Sequence, residues 1–181
     1  LLALAEGERD KAGQGSTTFS LCLLEIDHFR RINESDGHAR GDQVLREVAL
    51  CINAQLRERD AAGRYGAAQF LLLLPATTED EARLLAEQVR QSVQQLRFAA
   101  TAPAPAPKVT VSIGLAQFRA GESIGQTMAR ADEALVQATS TGRNRVFAYG
   151  QAPGPGTDQV SADLFDATRI DALTGLLSRR V

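Results

Sequence analysis

Residues 18–27, Thr-Phe-Ser-Leu-Cys-Leu-Leu-Glu-Ile-Asp, are apolar on both faces of an extended chain. Side chains of a strand alternate, so Phe19, Leu21 and Leu23 fall on one side and Cys22, Leu24 and Ile26 on the other. A strand that faces water on one side alternates apolar with polar; this one needs cover above and below. It therefore belongs at the centre of a sheet with a layer on each face. Residues 69–74, stopped by Pro75, read as a second buried strand. Residues 108–118 read as a third, with Val109, Val111, Ile113 and Leu115 on one face.

Helical patterns separate the strands. A short helix is expected over 28–34 and a turn at Asp36-Gly37-His38. An amphipathic helix is expected over 41–56, with Val44, Leu45, Val48, Ile52 and Leu56 at helical spacing. A turn at 63–66 is flanked by short strands. Thr78 with Glu81 forms a capping box for a helix running to about residue 96, and Ser123 with Gln126 forms another for a helix ending near Gly142. Residues 102–107 alternate alanine and proline and read as an extended connector. Residues 145–149 make a last strand. The predicted order is β-α-α-β-β-α-β-α-β, an α/β sheet layered with helices.

The chain has 181 residues, 44% of them hydrophobic and 23% charged, enough for one domain with its own core. A net charge of −2 disfavours a nucleic-acid groove or an anionic membrane surface. No apolar run approaches the ~20 residues of a membrane span, and no basic-then-apolar leader opens the sequence, so a cytoplasmic location is expected. Cys22 and Cys51 lack metal-ligand spacing and read as small buried hydrophobes of a reducing compartment.

The chemistry is concentrated around residues 64–70, Arg-Tyr-Gly-Ala-Ala-Gln-Phe. This turn resembles the signature of the GGDEF family, the bacterial diguanylate cyclases, whose pattern is Arg-Tyr-Gly-Gly-Asp/Glu-Glu-Phe. Arg64, Tyr65, Gly66 and Phe70 match. Ala67 stands for a glycine, Ala68 for a metal-binding carboxylate and Gln69 for a glutamate. Glu25-Ile26-Asp27-His28-Phe29-Arg30 is similar to the family's Asp-x-Asp-x-Phe-Lys. The resemblance makes Glu25 the counterpart of the other Mg²⁺ ligand, one methylene longer, and leaves Ala68 without a donor. Asn33 and Asp42 match the guanine readers, an amide and a carboxylate suited to a base edge that offers acceptors and donors together. Arg143, in residues 138–144 (Ala-Thr-Ser-Thr-Gly-Arg-Asn), keeps a phosphate-binding position where the family lysine has become Thr139. With Phe29 and Arg30 these form the vestigial nucleotide site. Arg57-Glu58-Arg59-Asp60 has the Arg-x-x-Asp pattern of the family's inhibitory site, implying that Arg57 and Asp60 hold cyclic di-GMP. A further arginine of such sites would fall at Gln88, with Arg90 nearby. His38 reads as a structural loop residue and His28 as an exposed helix-start residue.

Residues 171–180, Asp-Ala-Leu-Thr-Gly-Leu-Leu-Ser-Arg-Arg, resemble the family's opening motif, which normally precedes the first strand. Three arrangements account for it: a circular permutation, the start of a second truncated domain, or a terminal helix swapped between protomers. The expected organisation is a domain body over 1–150, a linker and lead-in helix over 151–170, and the displaced motif over 171–181. The resemblance implies a nucleotidyl-cyclase-like palm, a central, mostly antiparallel sheet flanked by helices. It implies a catalytically inactive regulatory or receptor module of cyclic di-GMP signalling, not an enzyme. Such a module binds cyclic di-GMP or GTP, with no cofactor and weak or absent Mg²⁺. Its partners would be a neighbouring EAL or sensor domain, another signalling protein or a second copy. A scaffold that binds no nucleotide is the alternative. An active cyclase would need a substitute ligand for Ala68.

Overall fold

The computed structural model describes residues 1–13, 17–100, 106–150, 169–170 and 177–178. The doubly apolar segment is the central strand β1, Phe19–Ile26. It pairs antiparallel with β3, Gln69–Pro75, on one side and with β4, Val111–Gln117, on the other. Outside them, β2 (Ala61–Arg64) runs antiparallel to β3, and β5 (Val146–Ala148) runs parallel to β4. Two short strands, β6 (Arg169–Ile170) and β7 (Leu177–Ser178), extend the sheet beyond β2, giving the order β5-β4-β1-β3-β2-β7-β6. The sheet is thus mostly antiparallel, as expected.

The two faces of β1 open onto two cores. Cys22, Leu24 and Ile26, with Phe70, Leu72 and Leu74 of β3, pack beneath α3 (His38–Gln55) and α4 (Glu79–Gln94). Phe19, Leu21 and Leu23, with Leu71 and Leu73, pack beneath α1 (Leu2–Gly13) and α5 (Ile124–Ser140). Each of these fully buried Leu, Ile and Phe side chains contributes about 2 kcal/mol of transfer free energy. Phe19 stacks on Phe118 at a centroid distance of 4.6 Å, closing the second core at its edge. Burial pushes the Cys22 thiol up to about 12, as suits a core residue. Cys51 is half-buried, with its thiol also raised, chiefly by desolvation.

Both capping boxes form, at Thr78–Glu81 and Ser123–Gln126. Gly114 lets β4 approach α5 so closely that a β-carbon there would stand 2.1 Å from Leu135 N and 2.2 Å from Ala131 O. Several elements differ from expectation. Helix α3 starts at His38 rather than 41, because Gly37 (φ 83°) turns the chain and its carbonyl accepts from Arg40 N and Gly41 N. Residues 38–40 carry no buried side chain and so no periodic signal. The tight turn spans 65–68, with Gly63 and Arg64 inside β2. Helix α1 was not foreseen, for it buries one side chain, Ala5, and has no apolar stripe.

Arg169–Ile170 is strand where a linker and lead-in helix were expected. The rest of the linker and most of the displaced opening motif lie outside the described residues, as does residue stretch 101–105 of the Ala-Pro connector.

Candidate functional site

Glu25 is the last but one residue of β1 and stands opposite Gln69, the first residue of β3. Gln69 Nε2 donates to Glu25 Oε2 at 2.6 Å, so the half-buried carboxylate is tied to its neighbour by an amide. The preceding turn is closed by Tyr65 N and Gly66 N, both donating to Gln69 O. Arg64 braces it, donating to the carbonyls of Gly66 (3.2 Å) and Ala67 (3.0 Å). Ile26 N donates to Ala68 O at 3.0 Å, which pins the turn to the end of β1. The Gln69 side chain lies over Gly66, where a β-carbon would meet its Oε1 at 3.1 Å. Phe70 is fully buried, and the Ala68 methyl, like Phe29, packs on the α3/α4 core. Neither Gly66 nor Ala67 has a positive φ, so alanine at 67 sits in this turn without backbone strain.

Asp27 follows β1 but does not join Glu25. Its side chain is buried and accepts from Thr110 Oγ1 (2.6 Å), Ser112 Oγ (2.7 Å) and the Asn144 backbone N (3.0 Å). Sequence reasoning missed this structural role, since strand alternation alone leaves the direction of a strand-end residue open. The carboxylate fastens the turn after α5, where Gly142 (φ 125°), Arg143 (φ 58°) and Asn144 (φ 47°) are all left-handed. Two non-glycine residues in that region cost roughly 1–2 kcal/mol each, and three contacts hold them. Arg143 N donates to Ala138 O, Asn144 N to Asp27, and Arg90 Nη1 to Asn144 Oδ1. Arg90 is thereby committed to this turn and to Glu87, some distance in sequence from the Arg57 pair it was considered to assist. The Arg143 side chain is exposed.

Helix α2, Phe29–Asp36, begins two residues after Asp27. His28 precedes it at φ 55°, exposed, and no side chain caps the helix start. First-turn amides without a cap are donors available to an anion, helped by the helix dipole. Arg30 is on the solvent side, paired with Glu34 at 2.7 Å and 92% exposed. Asn33, one turn on, is laid against α3. A β-carbon at Gly41 would stand 1.9 Å from Asn33 Oδ1, so only glycine admits the amide there. Asp42, partly buried, is the next residue of α3, and the two residues expected to read guanine are thereby brought to one helix–helix junction. His38 is the exposed first residue of α3 rather than a loop residue. On the other flank of α2, a cleft of about 350 Å³ opens between Arg31 and Ser35 and the segment at Pro107–Lys108. None of Phe29, Arg30, Asn33, Asp42 or Arg143 lines it.

Arg57 and Asp60 do meet, at the far end of β2. That strand puts them about 16 Å from the signature turn at ~3.3 Å per residue. Arg57 Nε and Nη2 donate to the two oxygens of Asp60 at 2.8 and 2.9 Å, and Arg57 N adds a third bond. Arg57 Nη2 also donates to Thr77 Oγ1 at 2.6 Å, a partner the sequence did not suggest. The Asp60 carboxylate is fully buried while the Arg57 side chain is 39% exposed. The hydrogen bond to Asp60 raises the Arg57 pKa further above its ordinary value.

Residues 3–145 match the family model described as diguanylate cyclase, GGDEF domain. The chain belongs to the GGDEF family. It is 41% identical over 130 residues to the diguanylate cyclase DgcM of Escherichia coli K12, a match covering 72% of this chain and 30% of that protein. The chain therefore spans under a third of that relative. Among solved structures, diguanylate cyclase SiaD in complex with its activator SiaC from Pseudomonas aeruginosa superposes with a TM-score of 0.76 at 37% identity, over 81% of this chain and 56% of that one. The GGDEF domain of DgcB from Caulobacter crescentus, in complex with c-di-GMP, superposes with a TM-score of 0.75 at 35% identity, over 79% and 84%. This is a GGDEF domain of cyclic di-GMP signalling with the family's palm-like α/β fold. The relatives overturn the expectation that the chain is not an enzyme. Proteins 37% and 41% identical to it are named diguanylate cyclases.

A divalent ion is a different question, answered by the donors present. Mg²⁺ takes near-octahedral oxygen ligation with one or two carboxylates. At the signature hairpin Glu25 has one oxygen engaged by Gln69, Ala68 offers no side-chain donor, and Asp27 is buried among three donors. Among the described residues, no group of three or more His, Cys, Asp and Glu converges. These side chains do not fit a protein-built two-metal centre. No helix among the described residues is long and apolar enough to cross a membrane.

Proposed function

We propose that this GGDEF domain is a guanine-nucleotide-binding regulatory module, taking GTP at the α2/α3 junction and cyclic di-GMP at Arg57 and Asp60, and passing the bound state to a neighbouring signalling domain. The observation that carries the reading is the seat of Asn33 on Gly41 beside Asp42, one helical turn from an α2 start that no side chain caps. An amide and a carboxylate together complement the guanine edge, and the helix start with Arg30 and Arg143 complements phosphate. At the second site, the Arg57 guanidinium is partly exposed and already oriented by Asp60 and Thr77. It can exchange solvent-side contacts for a phosphate or base without reordering. The solved DgcB domain is described as a complex with c-di-GMP, which supports the same ligand here.

The test is calorimetric titration of the chain with cyclic di-GMP and then with GTP. Arg57→Ala should abolish cyclic di-GMP binding and spare GTP. Asn33→Ala should do the reverse. Pyrophosphate release, followed in the same samples, measures turnover directly. If neither nucleotide binds at millimolar concentration, the proposal fails and the domain acts through protein contacts alone.

A further inference from the structure

We infer that the α2/α3 site binds guanine nucleotide without a bridging divalent cation. This rests on the nucleotide-binding proposal above and specifies its chemistry. A metal that bridges phosphates to a protein must be held by protein oxygens, and carboxylates are the usual holders. The hairpin here has replaced them by an amide and a methyl. The Gln69 amide donates to Glu25 at 2.6 Å and its side chain covers Gly66. The Ala68 methyl packs on the α3/α4 core and brings no oxygen to the hairpin. Asp27, the remaining acid of the strand end, is buried and accepts from Thr110, Ser112 and Asn144.

The counter-charge to phosphate is supplied by other groups. Asn144 N bonds Asp27, so the left-handed turn brings exposed Arg143 beside the start of α2. Arg30 is in the first turn of that helix, and the helix start has no side-chain cap competing for its amides. Arg64 turns its guanidinium onto the hairpin carbonyls of Gly66 and Ala67, adding positive charge under the turn. Arg143, Arg64 and the amide dipoles therefore supply the counter-charge, with Arg30 shared with Glu34, and Glu25 is the one acid of the hairpin left to oppose them.

The sign of two responses decides the matter. Calorimetry on the full 181-residue chain should give GTP dissociation constants in excess EDTA and in millimolar Mg²⁺ that agree within about twofold. Glu25→Gln should tighten binding in both buffers, by about threefold for one unit charge removed near the phosphates at intermediate dielectric. Ala68→Asp combined with Gln69→Glu should weaken binding in EDTA by about tenfold and restore it with Mg²⁺. Circular dichroism checks the fold of that double variant, because residue 68 packs on the core; Glu25→Gln provides the answer if the double variant unfolds. Binding by the wild type only with Mg²⁺, or weakening by Glu25→Gln, overturns the inference and leaves the nucleotide reading standing. Absence of GTP binding in both buffers overturns the two together.

Discussion

Gly41→Ala separates the geometry of the site from the stability of the fold. Residue 41 is in α3, and a β-carbon there would stand 1.9 Å from Asn33 Oδ1, 3.0 Å from Asn33 Cγ and 3.2 Å from Phe29 Cζ. The nearest atom is the tip of a short side chain, so Asn33 yields by rotating and the two helices keep their spacing. Alanine gains about 1 kcal/mol over glycine in a helix interior. Crowding Phe29 costs about 1–2 kcal/mol, the lower part of the range for overpacking. The terms nearly cancel, and the net change in unfolding free energy stays within about 1 kcal/mol, or roughly 4 °C in Tm for a chain of this size. The binding term has no such compensation. Displacing the Asn33 amide removes a hydrogen bond and strands its partner on the base, a loss of about 1–3 kcal/mol. GTP affinity should fall about tenfold or more, at 1.4 kcal/mol per decade. Cyclic di-GMP binding at Arg57 should be unchanged, since it is on the far side of β2. Urea unfolding and calorimetry on the same preparation read both quantities. Wild-type GTP affinity in Gly41→Ala would refute the role given to the Asn33 seat. A stability loss above ~3 kcal/mol would show that the helices moved rather than the side chain.

Three further outcomes test the frame around the site. Gly114→Ala puts a β-carbon against the backbone of α5 at Leu135 N and Ala131 O, which cannot rotate away, so urea unfolding should show a loss of about 3 kcal/mol or more; a change under ~1 kcal/mol contradicts the close approach. Asp27→Asn turns one acceptor into a donor facing Thr110, Ser112 and Asn144 N, and should lose about 2–4 kcal/mol by the same assay, with a wild-type midpoint as the contrary result. The Glu81 carboxyl is held below its ordinary 4.5 first by the Thr78 amide and then by the Thr78 hydroxyl. A carboxyl depressed in the folded state adds stability above its unfolded pKa, and that stability is lost as pH falls from about 4.5 through the lower folded value. Glu81→Gln should therefore flatten the fall in thermal stability in that acid window, and an unaltered pH profile would count against the capping-box contact.

The sheet was readable because burial leaves a periodic trace. The alternation in β1 assigned Phe19, Leu21 and Leu23 to one core and Cys22, Leu24 and Ile26 to the other, and the packing divides them in that way. Capping boxes were readable because they use two residue types at fixed spacing. What failed to register had no such trace. Helix α1 buries little, and residues 38–40 at the start of α3 carry no buried side chain. The role of Asp27 was also hidden: its three donors come from residues 110, 112 and 144, over eighty positions away, and nothing local marks it as a structural acid.

The signature turn shows why a motif's frame and its chemistry are legible to different degrees. The frame is held by backbone bonds from Tyr65, Gly66 and Ile26 and by Arg64 on two carbonyls. None of those contacts uses the side chains of residues 67 or 68, so these can change while the turn keeps its shape. A turn of that kind is recognised from Arg64, Gly66 and Phe70 whatever stands between them. For the same reason, the residues between them weigh little beside a family match that runs over residues 3–145. What they do fix is local: an amide at 69 and a methyl at 68 leave one acid at the hairpin, and the Gln69–Glu25 bond at 2.6 Å is the contact through which that exchange alters how phosphate is met.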